Sequence, residues 1–110
     1  MAKHRTELLK GTLDLLILRT LELQSMHGAA IAERIEQTTR GTFQVKAGSL
    51  FPALHRLEQE GWIAGEWIES PEQRRVKSYA LTASGRRQLA TEKATWRRVV
   101  AAMSSVLEST

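Results

Sequence analysis

The side chains of this sequence that are best suited to binding a ligand are basic. Arg74, Arg75 and Lys77 lie in or beside a short polar segment that separates two β-type stretches. A loop that presents guanidinium and ammonium groups is suited to contact with a phosphate backbone. The net charge of the chain is also positive, because 16 Lys and Arg residues against 12 Asp and Glu residues give +4. We therefore expect an anionic partner.

A predicted helix over residues 47–60 holds a second group of candidate contacts. Its inward stripe consists of Leu50, Leu54 and Leu57, at helical spacing. Ser49 is the expected N-cap, Pro52 is expected in the first turn, and Gly61 is placed to end the helix. The opposite side of the helix and the residue before it supply the candidate contacts with the partner, which are Lys46, Ser49, Phe51, His55 and Arg56.

Residues suited to catalysis are missing from the pattern. The chain has no cysteine, which excludes thiol chemistry and thiolate metal sites. The three histidines, His4, His27 and His55, show no metal-ligand spacing with acidic residues. The sequence contains neither a glycine-rich phosphate loop nor a nucleophile elbow. We therefore expect no catalytic residue, no metal site and no cofactor, and we predict that the protein is not an enzyme.

The elements that would position these side chains can be predicted from periodicity and turn residues. In chain order they are a helix over 12–23, a turn at His27-Gly28, a helix over 29–38, the helix over 47–60, strands over 62–68 and 76–81, and a helix over 83–108 capped by Thr82. This order predicts a mainly α protein with a small β-hairpin, arranged as a winged helix-turn-helix with a long C-terminal helix. Residues 1–82 would form the DNA-binding domain, and residues 83–110 a dimerisation helix packed on that domain.

A winged helix-turn-helix identifies double-stranded DNA as the expected anionic partner. The helix over 47–60 would enter the major groove, and the hairpin, with a flexible basic tip over 69–75, would reach the adjacent backbone. Trp62, Trp67 and Tyr79 are predicted to pack the hairpin on the helices. Several roles stay open, because Ser49 could act only as a cap and Arg56 could bind guanine or phosphate.

Two apolar patterns predict a homodimer. The first helix is apolar on both sides, and a chain of 110 residues has little material to cover it twice. In the last helix Leu89, Trp96 and Met103 recur every seven residues. The alternatives are a central core helix in a monomer and an ordinary tertiary docking face. The residues expected in the dimer interface are Leu15, Leu18, Leu89, Trp96, Val99, Val100, Met103, Val106 and Leu107.

Several motifs together resemble PadR-family transcriptional regulators. The recognition-helix signature is GSLFPALHRLE at 48–58, followed by EGWI at 60–63, RRVKSYALT at 74–82 and SGR at 84–86, with GTLD at 11–14 and MHG at 26–28 upstream. The resemblance covers essentially the whole chain and is strongest to the short type in the acidobacterial PadR group. It implies a homodimer that is held by the first and last helices, binds operator DNA and represses transcription.

The same resemblance implies an effector site and reveals departures from the family pattern. Effectors of such regulators bind at or near the dimer interface, where Trp96 could stack on a planar aromatic or hydrophobic compound. Phe51 stands where the family usually has Tyr, and Ala29, Ser78 and Ala80 also depart from common residues. An alternative function is therefore a winged-helix protein-interaction module with a weakened DNA surface.

Segments that would direct the chain to a membrane are not predicted. No apolar run approaches the roughly 18 to 20 residues that span a bilayer. Residues 1–7 lack the apolar region and cleavage site of a signal peptide. The sequence therefore predicts a cytoplasmic protein without a membrane partner.

Overall fold

Leucine and isoleucine residues at helical spacing generate the core of the structure. The structure is a computed structural model and describes residues 11–110, so that His4 and the rest of residues 1–10 lie outside the described residues. The elements are α1 (Thr12–Leu23), β1 (Met26–His27), α2 (Gly28–Thr38), α3 (Ala47–Gln59), β2 (Ile63–Glu69), β3 (Arg75–Leu81) and α4 (Ala83–Leu107). The mainly α winged-helix fold with a long C-terminal helix is confirmed.

The core joins all four helices to the base of the hairpin. The large side chains with less than 2% exposure are Ile17, Leu18, Ile31, Leu50, Leu54, Leu57, Ile63 and Leu89. The predicted inward stripe of α3 is thereby confirmed. Leu18 and Leu89 were expected in the dimer interface, but they are 0% and 1% exposed within one chain. They pack inside the single chain and have no free surface for a partner, which corrects that expectation.

The start of α3 differs from the prediction. Lys46, and not Ser49, occupies the N-cap position with an extended backbone, and it makes no side-chain cap hydrogen bond. Ser49 is the third helical residue, and its own N–H donates to the Lys46 carbonyl at 3.0 Å. Pro52 consequently lies in the second turn of α3 and not in the first, so its missing N–H falls at an interior position of the helix.

The end of α3 agrees with the prediction. Gly61 has φ of 76°, a left-handed conformation that suits glycine. The N–H of Trp62 donates to the Leu57 carbonyl at 3.1 Å, and the N–H of Gly61 to the Glu58 carbonyl at 3.0 Å. These two bonds form a Schellman motif, which stops the helix and sends the chain into β2.

The sheet has three antiparallel strands in the order β1-β3-β2. Met26 and His27 pair with Tyr79 and Ser78, so the turn predicted at His27-Gly28 is wrong. A two-residue strand has no periodicity to detect, and its partner lies some fifty residues further along the chain. The hairpin of β2 and β3 is in register from Ile63 opposite Leu81 to Glu69 opposite Arg75.

The tip of the hairpin is a short loop over residues 70–74. At the tip, each strand reaches one residue further than predicted, so this loop is shorter than the expected segment over 69–75. The N–H of Ser70 donates to the Arg74 carbonyl at 2.8 Å, and the N–H of Gln73 donates to the Ser70 carbonyl at 2.8 Å. We call β2, β3 and this loop the wing.

The long helix α4 begins at the predicted cap. The Thr82 hydroxyl accepts a hydrogen bond from the N–H of Gly85 at 2.9 Å. A Cβ at Gly85 would overlap the carbonyl oxygen of Trp62, so the absence of a side chain lets the helix start directly against the hairpin. The helix has 25 residues and a length of about 37 Å. Among residues 11–110, no helix is long and apolar enough to cross a membrane.

Candidate nucleic-acid interface

The side of α3 that points away from the core is exposed to solvent. At about 100° per residue, the positions opposite the buried stripe are Gly48, Pro52, His55 and Gln59, and all four residues are exposed. We call these four residues the α3 outer face. Of the predicted contacts, His55 lies on this face, while Lys46 is exposed just before the helix. An exposed face of this width on a helix can enter a DNA major groove.

Arg56 lies on the flank of α3 that faces α1. Its Nη2 atom donates to Oδ1 of Asp14 at 2.5 Å, and the two side chains are 55% and 17% exposed. Ser49 lies on the same flank and is exposed. Arg56 can therefore reach a base or a phosphate only by leaving or sharing its carboxylate partner. Asp14 lies 42 residues from Arg56 in the sequence, so no local pattern indicates this pair.

Phe51 lies on the opposite flank of α3, beside the start of α2. Its ring is close to Gly28, because a Cβ at Gly28 would lie 2.9 Å from Cε1 of the ring. Phe51 is nevertheless 51% exposed. One edge of the ring packs on α2, and the rest is available to an external partner.

The tip of the wing presents two arginines. Arg74 and Arg75 are both exposed, and the guanidinium of Arg75 lies 5.3 Å from the centroid of the Trp67 ring. This distance is within the range of a cation–π interaction. Trp67 is 57% exposed, so the prediction that it packs the hairpin on the helices is wrong. The hairpin extends past the protein body at this level, and Trp67 there holds the cation on the surface.

Lys77, the third predicted wing contact, is engaged within the protein. Its Nζ donates to Oε1 of Glu58 on α3 at 2.9 Å, and the two side chains are 29% and 30% exposed. The hydrogen bond from the lysine to the Glu58 carboxylate raises the pKa of Lys77 above its usual value. The ammonium also lies 5.5 Å from the centroid of the Tyr79 ring. The structure thus separates Lys77 from the two arginines with which the sequence grouped it.

An apolar stripe covers one face of the second half of α4. Its members are 38% to 78% exposed, and they are Trp96, Val99, Val100, Met103, Val106 and Leu107. We call these six residues the α4 stripe. The helical repeat places them on the same face as Gly85 and Leu89, which are buried against the rest of the chain. Leu15 of α1 is only partly buried, and Leu23 at the end of α1 is 62% exposed.

The position of α4 along α1 is held by an ion pair. Nζ of Lys93 donates to Oε1 of Glu22 at 3.2 Å, and Arg19 contacts the same carboxylate oxygen at 2.7 Å. The hydrogen bond from Lys93 is the largest cause that lowers the pKa of Glu22 below its usual value. Beyond Lys93 the helix continues into the α4 stripe.

Comparisons with known proteins agree with this geometry. The model of the transcriptional regulator PadR-like family matches residues 17–91. A PadR-like transcriptional regulator from Bacillus cereus has a similar structure, with a TM-score of 0.81 and 26% identity over 96% of this chain and 100% of that chain. For a PadR family transcription regulator from Clostridium difficile the TM-score is 0.77 and the identity 31%, over 88% of this chain and 99% of that chain. An uncharacterized protein from Lysinibacillus sphaericus is 27% identical over 95 residues, which are 86% of this chain and 87% of that protein.

Proposed function

Because the chain belongs to the PadR-like family of transcriptional regulators, we propose that it is a homodimeric repressor that a small-molecule effector releases from operator DNA. Members of this family are DNA-binding regulators and not enzymes. We assign the chain to the short, acidobacterial type within the family. Its motifs at 48–58 and 74–82 support this assignment.

The observation that carries the DNA-binding proposal is the α3 outer face beside the exposed arginines of the wing. A helix with an accessible outer face next to a basic hairpin can place side chains in a major groove and cations on the neighbouring phosphates. The proposed contacts with operator DNA are Lys46, Ser49, Phe51, His55, Arg56, Arg74 and Arg75. His55 and Arg56 are the proposed base readers, and Arg74 and Arg75 contact phosphate.

The α4 stripe supports the dimer part of the proposal. Six apolar side chains on one face form a patch that a second copy of the same helix can cover. We propose that residues 1–82 form the DNA-binding domain and that residues 83–110 form the dimerisation helix packed on it. Leu15 and the α4 stripe would form the interface, while Leu18 and Leu89 support it from within each chain.

Trp96 supports the effector part of the proposal. It is the first residue of the α4 stripe and is 38% exposed, so its indole lies where the helix leaves the protein body. A planar aromatic compound could stack on this ring between the two subunits. Binding there would change how the two DNA-binding domains are spaced and would thereby release the operator.

The decisive experiment is a binding titration on the promoter DNA of the protein's own gene. Fluorescence anisotropy at several salt concentrations would compare this fragment with a shuffled fragment of equal length. A sequence-specific regulator is expected to prefer its operator by a factor of about 10³ or more. Equal affinity for the two fragments at every salt concentration would refute the proposal and favour the protein-interaction module.

Two arginine variants extend the same titration to the α3 contacts. Arg56→Ala is expected to weaken operator binding by about 1–3 kcal/mol and to relax preference at one base pair. Arg98→Ala removes the same charge from an exposed position on α4 and is the matched control. A uniform loss on all sequences with Arg56→Ala would assign Arg56 to phosphate instead.

A further inference from the structure

We propose that Lys77 and Glu58 form a brace that sets the position of the wing relative to α3. Lys77 then acts in DNA binding as a positioning residue and not as a phosphate contact. This inference rests on the proposed DNA-binding function, and it assigns a role within it to two residues of different elements. The pair is the described salt bridge that joins the wing to α3.

The geometry of the pair fits a brace. Lys77 lies opposite Trp67 in the register of the hairpin, two residues beyond buried Tyr79 and therefore where the hairpin leaves the core. From there its side chain turns back to α3, and its Nζ donates to Oε1 of Glu58 at 2.9 Å. The contact ties the first unsupported part of the wing to the helix that carries the candidate base readers.

Gly65 provides the space for this contact. A Cβ at Gly65 would overlap Cε of Lys77 and lie 3.1 Å from Oε2 of Glu58. The backbone of Gly65 has no positive φ, so its conformation does not itself require glycine. The missing side chain is what lets the lysine stem cross β2 and reach the carboxylate. Three residues from three elements therefore serve one contact.

Electrostatics explains why the pair would position the wing and would not attract phosphate. An ammonium that is hydrogen-bonded to a carboxylate forms a neutral pair, which attracts a phosphate far less than a free cation does. Glu58 lies on the helix that is proposed to enter the groove, where an unpaired carboxylate would repel DNA. From Lys77 to Arg74 the chain spans about 10 Å at the rise of a β-strand, so a small rotation at the brace moves the arginines at the tip.

Gly65→Ala provides a test of the brace without any change in charge. The added methyl displaces the end of a flexible side chain, and alanine is otherwise at least as favourable as glycine in a strand. Operator binding is expected to weaken by about twofold to fivefold per DNA-bound subunit, the range of a partly exposed ion pair. The midpoint temperature of thermal unfolding of the same variant is expected to be unchanged or slightly higher.

Glu58→Gln separates the two roles of Lys77 by the sign of its effect. If Lys77 contacts phosphate, removal of a negative charge beside it frees the lysine, and binding becomes tighter. If the pair is a brace, binding weakens although the protein has become more positive. Glu60→Gln removes the same charge two residues later, at an exposed position, and is the matched control; it is expected to bind at least as tightly as the wild type.

A measurement without DNA tests the brace by itself. In an NMR titration of the lysine side chains, the raised pKa of Lys77 is expected to return towards its usual value in both Glu58→Gln and Gly65→Ala. A Lys77 pKa that is the same in wild type and variants would overturn the brace even if operator binding is intact.

The DNA titrations provide the remaining outcomes. Tighter binding by Glu58→Gln, or unchanged binding by Gly65→Ala, would also overturn the brace, while leaving the proposed function in place. Absence of specific DNA binding by the wild-type chain would overturn the proposed function, and the positioning role with it. Weaker binding by both variants, with an unchanged Glu60→Gln control, supports the inference.

Discussion

Replacement of Val100 by Asp tests whether the α4 stripe holds two subunits together. Val100 lies within the stripe and is 44% exposed in the single chain. Full burial of a valine side chain contributes about 1.5 kcal/mol, so covering the exposed part contributes about 0.7 kcal/mol per copy. An aspartate adds an unpaired carboxylate, and burial of such a group costs several kcal/mol.

The expected effect on the dimer is large because both subunits carry the substitution. A loss of at least about 4 kcal/mol corresponds to an association constant lower by about a thousandfold. Sedimentation velocity over a series of protein concentrations would show this as a monomer where the wild type is a dimer. Circular dichroism would verify that the variant is still folded.

Ala101→Asp is the matched control. Ala101 follows Val100 directly and is exposed, but the helical repeat places it on the side of α4 away from the stripe. The same charge at this position is expected to leave the dimer intact. A monomeric wild type at micromolar concentration would refute the reasoning, as would equal weakening by the two substitutions.

Three further perturbations test other parts of the structure. Joint replacement of Arg74 and Arg75 by Ala is expected to weaken binding to operator and random DNA alike. The slope of log K against log salt should become shallower by up to ~0.9 for each phosphate that the wing no longer neutralises. An unchanged slope in anisotropy titrations would show that the tip does not touch DNA. Phe51→Tyr adds a hydroxyl to a half-exposed ring and is expected to tighten operator binding by about 0.5–1.5 kcal/mol, and equal affinity of the two proteins would exclude a hydroxyl contact. Because the hydrogen bond from Lys93 lowers the pKa of Glu22 from 4.5, the pair stabilises the fold above about pH 4.5, and this stability is lost as the pH falls through the lowered pKa. Glu22→Gln should remove this part of the pH dependence, which amounts to at most about 1 kcal/mol in the free energy of unfolding between about pH 3 and pH 7. Thermal unfolding at several pH values would measure it, and the same pH dependence in both proteins would contradict the assignment.

The helices could be predicted from the sequence because their signals are local. The leucine spacing of α3 and the cap at Thr82 depend on residues within a few positions of each other. Ser49 shows the limit of such signals, since a serine near a helix start is a cap only if the helix begins directly after it. Strand β1 could not be found, because its two residues become a strand only when β3 is folded beside them.

The candidate site was predictable in its residue types but not in its pairings. Arg56 and Lys77 are of residue types that usually lie exposed at the protein surface, and the sequence alone therefore groups them with the other candidate DNA contacts. Their carboxylate partners lie 42 and 19 residues away in the sequence and are brought close only by the tertiary fold. Exposed Trp67 was misplaced for a related reason, since its hydrophobicity indicates burial while the length of the hairpin carries it beyond the core.

Helix α1 contacts both α3, the helix proposed to enter the groove, and α4, the proposed dimerisation helix. Near its start Asp14 holds Arg56 of α3, and near its end Glu22 holds Lys93 of α4, about 12 Å away along the helix axis. A rearrangement of α4 that carries α1 with it would therefore also change the contact between Asp14 and Arg56. Thermodynamic linkage makes this coupling reciprocal. DNA that draws Arg56 from Asp14 would alter the energy of rearranging α4 by the same amount as an α4 rearrangement alters the affinity for DNA.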